Sequence, residues 1–192
     1  MKAARRRFYY SLLPSLFSKQ PISQHAAAVL QRTLGDRLVA VVLFGSRARR
    51  EASSESDWDL LVIAEGLPEK FFERHLFLKR LLPPDYRRAV ALLAKTPEEF
   101  EAHLPSIYLD IALDGEILYD PHVYAAKRLA AIRRLIEGIG LYRKRTEAGD
   151  VWQWKEEPRG PWTLKWEIES HRGITVQTPV GGRLSRRGSP GF

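Results

Sequence analysis

The chain has 192 residues, a formal net charge of +8 and no cysteine. Without cysteine there are no disulfides, no Cys-ligated zinc or iron–sulfur centres and no thiol nucleophile. An apolar fraction of 44% supplies a packed core and excludes wholesale disorder. The basic balance suits an acidic partner (phosphate, nucleotide, RNA or acidic protein) without choosing among them.

The first twenty residues, MKAARRRFYYSLLPSLFSKQ, are basic and then apolar. Pro14 breaks the apolar part and no small-x-small cleavage site follows, so the segment reads as the arm of a mature protein. No apolar run is long enough to span a bilayer, and the expected setting is the cytoplasm, with no membrane partner. Residues 21–35 read as a helix, with Ser23 capping its start and Gly35 closing it. RLVAVVLF (37–44) is a continuous apolar, β-branched run and reads as a buried strand. A polar loop over 45–57 leads into a second buried strand, WDLLVIA (58–64). Residues 68–82 form an amphipathic helix with Phe71, Phe72, His75, Leu76, Leu78 and Leu82 expected around its buried side.

Pro83-Pro84 stops that helix, and RRAVALLA (87–94) is a third strand. Thr96, Pro97 and Glu99 form a capping box that opens a helix over 96–104. Residues 105–120 read as a short helix, a turn at Asp114-Gly115 and the strand EILY. A long helix over 121–145 carries an apolar stripe of Leu129, Ile132, Leu135, Ile136 and Ile139, a surface for an oligomer or partner protein. Its arginines, Arg128, Arg133, Arg134, Arg143 and Arg145, offer an RNA-binding alternative. The extension 146–192 holds four of the five tryptophans and predicts a hairpin around residues 158–161, with a loose end beyond about Gly173. The expected class is α/β: a small mixed sheet with flanking helices over 21–120, then the long helix, then the Trp-rich hairpin. The five histidines are scattered and show no metal-binding spacing.

The chemistry gathers at LFGSRARREASSESDWDLLVI, residues 43–63. Residues i and i+2 of a strand face the same way, so Asp57 and Asp59 point together and Trp58 points opposite. Two close carboxylates repel, and a hard divalent cation removes the conflict. Mg²⁺ is commonly held by one or two carboxylates together with substrate phosphates. Gly45 lets the backbone approach a phosphate, while the Ser46 hydroxyl and the amides of the turn donate to it. Arg47 and Arg49 add positive charge for a triphosphate, whereas Arg50 and Glu51 are expected in solvent. Taken alone, the acid pair is a solvated start of a strand. The Gly-Ser turn ten residues upstream, after a buried strand, gives it a function.

The pattern Gly-Ser, ten residues, Asp-x-Asp resembles the DNA polymerase beta-like nucleotidyltransferase superfamily. Within it the chain is most similar to the minimal nucleotidyltransferases of HEPN/MNT toxin–antitoxin pairs. TPEEFE and IYLDIALDGEILYD extend the resemblance, which covers roughly residues 21–120. It implies the nucleotidyltransferase fold, Mg²⁺ ligation by Asp57 and Asp59, and phosphate contact by Gly45 and Ser46. It further implies transfer of a nucleoside monophosphate, often AMP from ATP, to a hydroxyl acceptor, and a HEPN-type partner. A third carboxylate on the next strand belongs to the pattern, and its position falls near Ala91. Asp85, ahead of that strand, is the substitute the sequence offers. The alternative is a degenerate nucleotidyltransferase that binds a partner, as an antitoxin would, without catalysis.

Overall fold

The structure, a computed structural model, describes residues 21–146, 149–156, 163–166 and 174–177. The basic arm 1–20, the turn expected at 158–161 and residues 178–192 lie outside the described residues; the strands on either side of that turn do not pair with each other, and residues 174–177, expected to be loose, form a strand.

Helix α1 (Ile22–Leu34) opens the domain. Pro21 takes the N-cap position, and Ser23, expected there, lies buried within the first turn. Gly35 closes the helix, with its N–H on the Gln31 carbonyl. Strand β1 (Leu38–Phe44) runs into a single helical turn, α2 (Gly45–Ala48), and the chain returns through β2 (Trp58–Ala64). Next come α3 (Phe71–Leu81), the short turn α4 (Tyr86–Ala89) and β3 (Val90–Lys95). Helix α5 (Pro97–Ala102) has both arms of its capping box, and α6 (Ser106–Asp114) leads to β4 (Glu116–Tyr119). Helix α7 (Tyr124–Gly138) precedes two strand pairs, β5 (Leu141–Thr146) with β6 (Gly149–Trp154), and β7 (Thr163–Trp166) with β8 (Ile174–Gln177).

The main sheet has the order β3-β2-β1-β4 and is mixed: β1 is antiparallel to β2 and β4, and β2 is parallel to β3. Its central strands are apolar on both faces because both faces are covered. On one side, Leu30 and Leu34 of α1 and Leu78 of α3 meet Val41, Leu43, Leu60 and Val62. On the other, Phe100 of α5, Tyr108 and Ile111 of α6 and Leu129 and Ile132 of α7 meet Ala40, Val42, Leu61 and Ile63.

Three expectations are corrected. Helix α3 does not bury Phe71, Phe72 and Leu76, which are exposed; Arg74, Leu78 and Leu82, four residues apart, face the core. Arg74 is tolerated there because its hydrogen bonds are satisfied. Its Nε donates to the Pro68 carbonyl at 2.8 Å, and its Nη atoms donate to both Glu99 oxygens at 2.5 and 2.8 Å. The third strand starts at Val90, because the amides of Tyr86 and Arg87 bond back to Pro83 and Pro84 and wind a helical turn first. The long helix ends at Gly138, and residues 141–145, expected to be helical, lie in strand β5 instead. Gly140, at φ +71°, makes the break.

The stripe of α7 does not await a partner. Leu129, Ile132, Leu135 and Ile136 are buried in this chain's own core. Several of the arginines weighed for RNA are engaged within the chain: Arg128 with Glu101, Arg133 with the Ala112 carbonyl, Arg143 with Asp110 and Asp114, and Arg145 with Glu51.

Candidate active site

The strand register brings the expected site residues to one end of the sheet. Asp59 pairs with Phe44 on β1 and with Ala91 on β3, so the Gly45 turn lies on one side of the acid pair and Ala91 directly on the other. Gly45 has φ +74°, and a Cβ added there would stand 2.2 Å from Asp59 Oδ2. The glycine thus does two things: it reverses the chain after β1, and it leaves the volume that the Asp59 carboxylate occupies. Ser46 follows as the second residue of α2, whose start has no side-chain cap.

Asp57 is exposed and Asp59 half-buried. Burial, and then the charge of Asp57, push the Asp59 carboxyl above the usual carboxylate range, while Arg49 opposes the shift. This is the conflict expected of two carboxylates on one face without a counter-ion, and a divalent cation would reverse it. Ala91, beside Asp59, supplies no third carboxylate. Asp85 lies exposed, on the other side of the α4 turn from Ala91. Among the described residues, no group of three or more His, Asp or Glu side chains forms a metal site. Two carboxylates alone would leave a bound cation to be completed by other oxygen donors, and phosphate oxygens are of that kind.

The two arginines separate. Positions 47 and 49 lie about 200° apart around a helical turn. Arg47 turns away and braces the loop: its Nε and Nη2 donate to the Ser56 carbonyl at 3.0 and 2.6 Å, and its guanidinium lies 4.2 Å over the Trp58 ring. Arg49 faces the acids, close enough to lower the Asp59 pKa and 3.9 Å from Asp114. Lys79 of α3 stands at the mouth as well. It donates to the carbonyls of Arg87 and Val90, and burial lowers its pKa against the pull of Asp57.

Beside Gly45 opens a cavity of about 460 Å³ between the turn, α6 and the β5–β6 hairpin. Glu51 is exposed, as expected, and at the cavity's edge it accepts from Arg49 at 2.9 Å and from Arg145 at 2.6 Å. Both arginines hold its carboxyl below the usual range. Asp110 and Asp114, one turn apart on α6, receive Arg143, and Asp110 also accepts from Trp152 Nε1 at 3.1 Å. The only sequence signal for this network was the i, i+4 spacing of those two aspartates. Its other members are up to 94 residues apart.

The family described as Polymerase beta, Nucleotidyltransferase matches residues 26–120. A protein of Methanocaldococcus jannaschii, named as a candidate protein adenylyltransferase, is 34% identical over 113 residues, spanning 57% of this chain and 77% of that relative. This chain belongs to the polymerase beta nucleotidyltransferase family. The stretch that carries Gly45, Ser46, Asp57 and Asp59 lies inside the matched segment of this nucleotidyltransferase, and the β5–β6 hairpin lies outside it. Among solved structures, a toxin–antitoxin complex with AMP-PNP is 17% identical, covering 61% of this chain and 92% of that one, with a TM-score of 0.43. A tri-AMPylated Shewanella oneidensis HEPN toxin in complex with its MNT antitoxin is 18% identical, covering 60% and 88%, with a TM-score of 0.39. These are distant likenesses confined to the fold.

Proposed function

We propose that this nucleotidyltransferase transfers AMP from Mg²⁺–ATP to a hydroxyl group of a partner protein in the cytoplasm. The observation that carries the reading is the packing of the Asp59 carboxylate into the space left by Gly45. It locks the candidate metal-binding pair to the candidate phosphate turn. The relative named as a candidate protein adenylyltransferase supports adenylyl transfer and a protein acceptor.

Asp57 and Asp59 would hold Mg²⁺, which when bound would supply positive charge against the charge developing on the triphosphate. Gly45 and Ser46 would seat the phosphates, and Arg49 would add positive charge beside them. The acceptor oxygen would have to reach the α-phosphorus in line with the departing pyrophosphate. The new bond joins that oxygen to the α-phosphorus, the hydroxyl proton passes to solvent, the α–β phosphoanhydride bond breaks, and pyrophosphate departs. A HEPN-type protein is the partner expected from the resemblance of the sequence.

The distinguishing test uses ATP labelled at the α- or at the γ-phosphate. Adenylyl transfer puts only the α-label on the acceptor and releases pyrophosphate. Transfer of the γ-label would overturn the reading.

Ala91 favours a second reading. With a methyl group beside Asp59, the site would bind Mg²⁺–nucleotide and a partner protein without transfer. Stoichiometric nucleotide binding with no labelled product, against the cognate partner, would select that reading.

A further inference from the structure

The acid pair and the Gly45 turn account for the metal and phosphates but leave the nucleoside without a seat. The cavity beside Gly45 is where a nucleoside would lie, and its far wall is the β5–β6 hairpin, outside the family-matched segment. The hairpin is fastened at several points. Arg143 forks onto Asp114 at 2.5 and 2.9 Å, Trp152 donates to Asp110, and Arg145 reaches Glu51 on the loop after the turn. Its position relative to the phosphate end is therefore set by both α6 and the catalytic loop.

The cavity combines apolar surface from Phe44 and Ile107 with the carboxylates of Glu51, Asp110 and Asp150, and with Arg49 and Arg145, whose guanidiniums are turned onto Glu51. Ionised carboxylates only accept hydrogen bonds. Such a wall matches a ligand rich in donors, and a ribose diol is one. Glu51 accepts from Arg49 at 2.9 Å and from Arg145 at 2.6 Å, and Asp110 accepts from Trp152 at 3.1 Å and from Arg143 at 3.3 Å. Asp150 differs: its contacts to Arg143 and Arg145 are both 3.5 Å, so most of its acceptor capacity remains.

We propose that this cavity takes the nucleoside of the substrate, with Asp150 of the hairpin accepting from the ribose 2′-hydroxyl. The hairpin thereby makes the enzyme select ribonucleotides. The proposal rests on the nucleotidyltransferase reading above.

The test is calorimetric titration of the full chain with Mg²⁺–ATP, Mg²⁺–dATP and Mg²⁺–tripolyphosphate, for the wild type, Asp150→Asn and Asp57→Ala/Asp59→Ala. The wild type is expected to bind ATP about tenfold more tightly than dATP, the scale of one hydrogen bond to a charged group. Asp150→Asn, which keeps an accepting oxygen but loses the charge, is expected to reduce that ratio to about two- to threefold without changing tripolyphosphate affinity. A ratio near one in the wild type overturns the inference, as does a ratio unchanged in Asp150→Asn. A variant that loses ATP and tripolyphosphate equally also overturns it, since the hairpin would then act only through the fold. Each of these results leaves the nucleotidyltransferase reading standing. A wild type that binds neither triphosphate, like the double aspartate variant, defeats both.

Discussion

Gly45→Ala is the smallest change that separates the site's geometry from its composition. At φ +74° an alanine sits in the left-handed region, at a cost of about 1–2 kcal/mol. Its Cβ would stand 2.2 Å from Asp59 Oδ2, against an ordinary contact of 3.4 Å or more, so the carboxylate must move by more than 1 Å. Driving that side chain off its rotamer adds about 0.5–1.5 kcal/mol, for a total of ~1.5–3.5 kcal/mol. Gly66 supplies the control: its φ is +62°, and an added Cβ meets the Arg37 side chain at ordinary distances, Cδ at 3.7 Å and Nη1 at 3.8 Å. Gly66→Ala should therefore lose the backbone part alone, about 1–2 kcal/mol in urea unfolding. The two variants should differ far more in function. Displacing a catalytic group by about 1 Å costs on the order of 100-fold in rate, so Gly45→Ala should lose adenylyl transfer while Gly66→Ala keeps it. Equal stability losses together with equal activities would refute the claim that Asp59 depends on the space at Gly45.

Asp59→Asn should stabilise the metal-free protein at neutral pH. The folded fold raises the Asp59 pKa, so the wild type carries no penalty while the group is protonated in both states. It loses stability as pH rises from about 4 through the folded pKa. Melting temperatures of the wild type and the variant should converge at low pH and separate above it, and a gap independent of pH would contradict this. Glu99 behaves oppositely: Arg74 depresses its pKa, so its contribution is present above about pH 4.3 and fades as pH falls through the lower folded value. Glu99→Gln leaves the buried Arg74 guanidinium with a weaker partner and should cost about 1–3 kcal/mol near pH 7, with little cost in strong acid. Ala91→Asp places a third carboxylate beside Asp59; it should lower the melting temperature without metal and tighten Mg²⁺ binding, both read by thermal shift with and without the cation.

What the sequence made legible was what short-range physics controls. The apolar runs of β1 and β2 fixed the strands to within a residue. Thr96 and Glu99 marked the start of α5 because a capping box is local. Long-range events were hidden. Nothing near Arg74 announces that Glu99 will satisfy it, so two exposed phenylalanines were the better guess for the buried face of α3. The basic run after Gly140 reads as helix until its partner strand, with Trp152 and Trp154, is seen packing on the core. Arg47 and Arg49 look equivalent in sequence, and only the winding of α2 sends one to the loop and the other to the acids. The pairing of Glu51 with Arg145 spans 94 residues and has no local signature.

The central claim is that Asp57 and Asp59, set against Gly45, carry out adenylyl transfer. Its most direct test incubates the protein with Mg²⁺, α-labelled ATP and lysate of its own cell, beside the Asp57→Ala/Asp59→Ala variant, with folding of both checked by circular dichroism. The account predicts a discrete labelled protein with the wild type and none with the variant. Equal labelling by both proteins would contradict it.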